Sequence, residues 1–374
     1  MNNLQYPIWN LENSVQISDG LTETSADGAF LAFDKKYGIM FCSYMPGKQG
    51  CYGESRSKVA LSYFPATQPT NIRFVTIAEG NDEYCEFCVS LGDGKVRVIY
   101  EKNSRAEGDH IAYYKDFNAI TNELSEEKVI MLKKTDGTLT PLCCSEVFSY
   151  LKNLGYTNQK FKHTEQWAIC CQYVDEDGKG YGAYTTEYSE PVLYSSNDNF
   201  ATVEFFATYP KPVQYEFGYR FLNDKLYAIY RTDVSKDSIY CVTSSDKGKT
   251  WSEPVLIEDS VSCRPGIICY KGKILIAYNH FNDDTGSRPN IQQGRTSVRF
   301  KYGDAENPAN NPIVAEIYRK YGTVNLSMID LFNDVYFAFS TSEAALEYQN
   351  GNPAVRGKDA IRYIKLGDVD TWSK

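Results

Sequence analysis

Apolar and polar residues alternate with a period of two over short runs along the whole chain. A tight turn of acidic, Asn or Gly residues breaks each run. The first such phrase is FLAFDKKYGIMFCSY from Phe30. It returns as CEFCVSLGDGKVRVIYEKN from Cys85, AICCQYVDEDGKGYGAYTT from Ala168 and YEFGYRFLNDKLYAIYRTD from Tyr215. Two more copies are RPGIICYKGKILIAYNHF from Arg264 and NLSMIDLFNDVYFAFSTS from Asn325. Each reads as a β-hairpin, because strand-length runs flank residues that tolerate positive φ. Six copies at a mean spacing of roughly 60 residues predict six like units.

A polar loop and a third strand follow each hairpin. These strands are SKVALSYF, DHIAYYKDF, EPVLYSSNDNF, DSIYCVTSSDKGKTW, RTSVRFKYGD and DAIRYIKLGDV, beginning at Ser57, Asp109, Glu190, Asp237, Arg295 and Asp359. Most units add a fourth, such as EPVLIE after Trp251 and ATVEFFA after Phe200. The predicted fold is all-β: one six-bladed β-propeller of four-stranded blades, with residues 1–374 as a single domain. The sixth unit ends near Val369 without a fourth strand. The strand-like N-terminal YPIWNLENSVQIS is expected to fill that place and join the two ends of the chain.

One segment departs from the pattern. TPLCCSEVFSYLKNLG, residues 140–155, reads as a helix inserted between blades two and three. Thr140 suits the N-cap, Pro141 the first helical position and Gly155 the residue past the end. Val147, Phe148, Leu151 and Leu154 share one face at helical spacing. The helix is expected either to decorate the packing or to wall the site.

Composition supports the β reading and narrows the chemistry. Tyr (30) outnumbers Phe (19), and aromatic side chains suit a pleated, half-buried surface. Tyr-rich surfaces also suit sugars, stacking on apolar ring faces and bonding the polar edge. The net charge of −9 argues against a grip on nucleic acid phosphate. No apolar run is long enough for a membrane span. The N-terminus lacks a basic start and an apolar stretch, so no signal peptide is visible, and a cytoplasmic chain or one released without such a peptide is expected. Eleven Cys then read as buried, reduced thiols on strands. Cys85-Glu86-Phe87-Cys88 has no second pair at zinc spacing and reads as strand. No Walker, dinucleotide, zinc-protease or nucleophile-elbow motif is present, and no cofactor or metal is expected.

The sharpest local pattern is Ser244-Ser245-Asp246-Lys247-Gly248-Lys249-Thr250-Trp251. Ser and Asp can bond turn backbone, Gly can take positive φ, and Trp can pack beneath. Ser196-Asn197-Asp198-Asn199-Phe200 is a degenerate copy, with weaker echoes at Lys115-Asp116-Phe117 and Lys301-Tyr302-Gly303-Asp304. The motif resembles the Asp-box of the sialidase-like BNR-repeat propellers, and the blade phrasing extends the likeness from about residue 20 to 369. The resemblance implies a site on the propeller axis, built from the starts of the first strands and the loops joining second to third strands.

The resemblance also implies roles. Such a site holds a sugar carboxylate with several Arg and uses a Tyr nucleophile activated by a Glu. Glu216 and Arg231, fifteen residues apart on the fourth hairpin, resemble the family's base and one of its Arg. Arg295, leading an apolar strand to Asp304, is similar to another. Tyr321, just before the last inner strand, is similar to the nucleophile, with Tyr318 its nearest competitor. The family's opening Arg has no counterpart in Ser25-Ala26-Asp27-Gly28-Ala29-Phe30. The following loop offers Glu54 as acid and Arg56 as cation. Arg264 opens the fifth hairpin and His280 ends its second strand, so both are expected at the axis as substrate-binding groups, Arg264 as a further cation for the carboxylate and His280 as a substrate donor or proton shuttle. An exo-acting glycoside hydrolase taking a terminal, acidic sugar from a glycan or glycoconjugate is implied. The alternatives are a non-catalytic glycan- or protein-binding propeller, and a glycosidase on another sugar with two-carboxylate chemistry.

Overall fold

A computed structural model describes residues 6–19, 25–47, 58–80, 83–104, 109–153, 167–186, 190–211, 213, 217–231, 238–259, 264–280, 297–318, 322–342 and 360–372. Six antiparallel sheets form in chain order, and each packs face to face on the next. The fold is the six-bladed propeller expected from the hairpin phrasing.

In blade 1 the inner, second, third and outer strands are Ser25–Asp34, Ile39–Gly47, Lys58–Pro65 and Arg73–Glu79. Blade 2 has Glu83–Gly92, Lys95–Ser104 and Asp109–Asn118, with an outer strand broken into Glu123–Leu124 and Lys128–Val129. Blade 3 has Trp167–Val174, Gly180–Thr186, Val192–Ser196 and Thr202–Thr208. Blade 4 has Phe217–Leu222, Lys225–Arg231, Ile239–Ser244 and Val255–Glu258. Blade 5 has Gly266–Tyr270, Lys273–His280, Ser297–Gly303 and Ile313–Tyr318. Blade 6 has Gly322–Leu331, Asp334–Ser342 and Ala360–Gly367. Its outer strand is the N-terminal Val15–Gln16, antiparallel to the third strand, so the ring closes as expected.

Two short segments extend the blades further. Ile8–Trp9 runs parallel to the outer strand of blade 5. Met131–Lys133 runs parallel to the outer strand of blade 3 and pairs with Leu139–Pro141. The second addition corrects the helix boundary. Thr140 and Pro141 lie in an edge strand, opposite Leu132 and Met131. Pro is tolerated at a sheet edge because its missing N–H faces no partner. Helix α1 therefore spans Cys144–Asn153, still between blades two and three, and buries Cys144, Val147, Tyr150 and Leu151. Phe148 is only partly buried, and Leu154 and Gly155 lie outside the described residues.

The core is the set of apolar layers between adjacent blades. Around the axis, each inner strand leaves one edge without a ladder partner, and its buried backbone groups need other partners. Side chains of neighbouring blades supply several. Cys88 Sγ donates to Phe30 O at 3.0 Å, and Leu31 N donates to Ser327 Oγ at 3.1 Å. Phe221 N donates to Tyr173 Oη at 3.2 Å, and Cys269 Sγ donates to Phe221 O at 3.3 Å. Blades 1 and 4, opposite each other in the ring, thus each receive ties from both neighbours. Burial pushes the Cys88 thiol up to about 11, keeping it a protonated donor.

Candidate active site

In every blade the inner strand runs directly into the hairpin turn. The starts of inner strands, the ends of second strands and the starts of third strands therefore share one end of the ring, here called the mouth. The Ser244–Trp251 turn follows a third strand and lies at the opposite end. There Ser244 Oγ accepts from Gly248 N at 2.7 Å, Asp246 Oδ1 accepts from Thr250 N at 2.9 Å, and Trp251 Nε1 donates to Thr208 O at 3.0 Å. Gly248 sits at φ 87°. The turn at Ser196 repeats this pattern: Ser196 Oγ accepts from Phe200 N at 2.8 Å and Asp198 Oδ1 from Thr202 N at 2.8 Å. The two weaker echoes do different work. Asp116 pairs with Arg97 at 2.7 Å, and Lys115 and Lys301 each donate to an outer-strand carbonyl of the preceding blade.

At the mouth, Arg231 ends the second strand of blade 4, opposite Ile239, and is only 3% exposed. The preceding Tyr230 accepts from Tyr209 Oη at 3.2 Å, and burial raises its pKa. His280 ends the second strand of blade 5, opposite Ser297, whose hydroxyl donates to His280 O at 3.4 Å. Arg264 stands two residues before the inner strand of blade 5. Its guanidinium lies 5.1 Å from the Phe30 ring centroid of blade 1. The structure thus places Arg231, His280 and Arg264 on the mouth side. Glu54, Arg56, Glu216, Arg295 and Tyr321 lie outside the described residues. Tyr318, the competitor of Tyr321, is in the outer strand of blade 5, opposite Ser297.

The register also exposes residues that sequence reasoning missed. Arg231 comes six positions after Lys225, which closes its hairpin opposite Leu222. The equivalent positions in blades 2, 5 and 6 are Glu101, Asn279 and Ser340, each about 1% exposed. Four blades therefore bury a polar or charged residue at one level beneath the mouth, where an apolar side chain would ordinarily be cheaper. The usable signal is a fixed offset from the hairpin turn. Blade 1 has apolar Met45 at this offset. Beside Glu101, Tyr184 contacts Cys144 of α1 at 3.6 Å between oxygen and sulfur. Burial first, then Cys144 and Glu101, push the Tyr184 phenol well above its ordinary range. Glu190, in the loop between second and third strands of blade 3, is a half-buried carboxyl raised by that burial. The outer rim of blade 5 carries an ion pair, Arg299 to Glu316 at 3.4 Å, and Tyr6 Oη donates to the same carboxylate at 3.4 Å.

A mouth of this kind, with guanidinium groups from two blades and a protonatable carboxyl, can hold an anionic group and transfer protons. No protein-family model and no curated protein matches the sequence. Solved structures do. The sialidase of Trypanosoma rangeli in complex with sialic acid matches 96% of this chain with a TM-score of 0.58 at 11% identity. The chain spans 58% of that sialidase's length. A Hadza microbial sialidase matches 94% of this chain and 68% of its own length, with a TM-score of 0.60 at 12% identity. A protein of unknown function from Dyadobacter fermentans DSM 18053 matches 95% of each chain, with a TM-score of 0.55 at 12% identity. The chain shares the six-bladed fold of these sialidases.

Proposed function

We propose that the protein is an exo-acting glycoside hydrolase, sialidase-like in mechanism, that removes a terminal acidic sugar from a glycan or glycoconjugate. The observation that carries this reading is Arg231. It is the described half of the Glu216–Arg231 pair, and it sits at the mouth of a fold shared with sialidases over nearly the whole chain. Glu216 takes the phenolic proton of Tyr321, whose oxygen bonds the anomeric carbon as the glycosidic bond breaks. Glu54 gives its proton to the leaving oxygen. Water then cleaves the tyrosyl–sugar bond, with the acid acting in reverse as base. Arg231, Arg295 and either Arg56 or Arg264 hold the sugar carboxylate, and His280 bonds a sugar hydroxyl.

The test is hydrolysis of a panel of chromogenic glycosides, including a sialoside and uronides. Wild type should cleave an acidic member. Glu216→Ala and Tyr321→Phe should each lower kcat by at least about 100-fold, the scale of lost acid–base catalysis, without loss of fold. A panel left uncleaved by wild type, or full turnover by either variant, overturns the reading. The rival is a propeller that binds glycans without cleaving them. It is favoured by the absence of any Arg in Ser25–Phe30, and binding of a panel member without turnover supports it.

A further inference from the structure

The blades differ in what lies beyond their outer strands. Ile8–Trp9 covers that of blade 5 and Met131–Lys133 that of blade 3, each as a parallel strand. Among the described residues, no strand pairs with the outer edges of Arg73–Glu79 in blade 1 and Val255–Glu258 in blade 4. An open edge is a row of main-chain donors and acceptors that another strand can take up, and folded chains usually guard it with charge.

The two open edges can be compared residue by residue. Each outer strand bulges, and the bulged carbonyl accepts from a lysine of the next blade. Lys115 Nζ donates to Ile77 O at 3.0 Å, and Lys301 Nζ to Ile257 O at 2.9 Å. Thr76 and Leu256 come just before these residues. Blade 1 thus has a polar residue at this place, and the Lys58–Glu79 ion pair at 3.2 Å closes the mouth end of the strand. Its exposed Phe74 lies toward the far end, beside exposed Arg73. Blade 4 instead has Leu256, 46% exposed, beside Val255, 43% exposed. Blade 5 shows which way Leu256 faces. Arg231 and Asn279 are equivalent, and they pair with Ile239 and Val298. The next residues, Tyr240 and Arg299, pair with Leu256 and Glu316. Glu316 turns its N–H away from its own blade and donates to Pro7 O at 3.2 Å. Residues alternate in this respect along an antiparallel strand, so Leu256 offers the same outward N–H and C=O.

Charge around the strand selects its occupant. Glu253, with a side chain 97% exposed, precedes it, Glu258 ends it, and exposed Asp259 follows. Lys211 lies 4.0 Å from Glu253, in an exposed pair that offsets little of this charge. A second copy docked edge to edge would set these three acids of each chain along one seam, in a protein of net charge −9. A basic segment meets the opposite field. The chain holds its own example. In the strand added to blade 3, apolar Met131 and Leu132 lead to Lys133, whose Nζ reaches Glu204 of the outer strand at 2.6 Å. We propose that the outer edge of blade 4 docks an extended segment of a partner protein, apolar and flanked by Lys or Arg, as a fifth, parallel strand at Leu256. No residue assigned to catalysis or substrate binding takes part, so the proposal is independent of the hydrolase reading.

The test is calorimetric titration of the full chain with two peptides blocked at both ends. One carries Tyr-Pro-Ile-Trp, the sequence that covers blade 5, between two lysines. The other carries it between two glutamates. Wild type should bind the lysine peptide at least about tenfold more tightly than the glutamate peptide. Leu256→Pro removes the outward N–H and is tolerated on an edge strand. It should weaken the lysine peptide by about tenfold, the worth of one main-chain hydrogen bond. Glu253→Lys combined with Asp259→Lys alters only exposed side chains and should reverse the preference between the peptides. Thermal melts check the fold of each variant, and the charge-reversed chain serves if the proline variant does not fold. Equal affinity of wild type for the two peptides overturns the basic-segment assignment. Lysine-peptide binding that is unchanged in both variants lies elsewhere on the molecule and overturns the site. No binding of either peptide by wild type overturns the proposal. A wild-type dimer in sedimentation velocity that Leu256→Pro dissolves makes a second copy the occupant and overturns the partner assignment.

Discussion

Single residues show how the two turns at the far end of the ring trade one cost for another. Gly248 takes its positive φ freely, whereas Phe200 occupies the matching position at φ 64°. An L-residue there loses about 1–2 kcal/mol. The Phe200 ring is 1% exposed and packs 5.6 Å from Phe87. Removing a buried Phe side chain costs about 3–5 kcal/mol, so burial outweighs the strain. Gly180 is the complement, since a Cβ there would stand 2.6 Å from Phe200 Cζ. The Ser244 turn makes a pH prediction. Hydrogen bonds from the Thr250 side chain and backbone, then from Ser244, lower Asp246 from 3.8 to about 2. The folded pKa lies below the unfolded one, so the stabilisation is complete above pH 4 and disappears as pH falls toward 2. Asp246→Asn should lower the melting temperature at pH 7 and flatten its decline between pH 4 and 2. An unchanged acid limb in thermal melts would refute this role. Hairpin position, joined for Arg231 by the family resemblance, was enough to set Arg231, His280 and Arg264 on the mouth side from the sequence. Glu101, Asn279 and Ser340 were not legible there, because they emerge only when strands are counted from their turns.

At the level of elements, the hairpins were legible because each turn carries its own chemistry. Asn223-Asp224 and Lys271-Gly272 both take positive φ at two successive positions, the geometry that matches strand twist. The edge additions were not legible. Ile8–Trp9 and Met131–Lys133 are two and three residues long, too short for any period, and parallel pairing is dictated by the neighbouring blade. The same gap misplaced the start of α1, where Thr140 and Pro141 resemble a helix start but serve an edge strand. Between blades, the inner-strand ties are specific enough to test. Tyr173 Oη accepts from Phe221 N in blade 4, and burial raises the Tyr173 phenol pKa, so it stays protonated and neutral. Tyr173→Phe leaves that backbone donor without its acceptor, and a buried unsatisfied donor costs about 1–3 kcal/mol. Urea unfolding should show a loss of that size with unchanged m. A smaller loss would mean the tie carries no stability.

For the molecule as a whole, the question is what holds a ring of six sheets closed, and residues 6–19 answer it across three blades. Ile8 and Trp9 pair with Glu316 and Ile317 of blade 5, and Val15 and Gln16 pair with Tyr363 and Arg362 of blade 6. Asp19 N donates to Tyr44 Oη of blade 1 at 3.4 Å. The two ends of the chain also meet, with Trp9 edge-on to Trp372 at 5.2 Å. Arg362 is the fastener. Its Nη2 donates to Ser14 O at 2.6 Å and Leu11 O at 3.2 Å, and its Nε to Ser14 Oγ at 3.0 Å. This clasp sits on the mouth side of its strands. Arg362 is near the start of the third strand of blade 6, and Glu316 is near the end of the outer strand of blade 5, just before the residues leading to Tyr321. Loosening the clasp should therefore act on the mouth before it acts on the far turns. Arg362→Ala should cost about 1–3 kcal/mol, the worth of charge-assisted hydrogen bonds in a partly buried place. Hydrogen exchange should quicken first at the amides of residues 15–17 and 361–363, while the amides of the Ser244 turn keep their wild-type protection. Equal acceleration at both ends would mean that the ring opens as one unit and that the clasp gives the mouth no separate support.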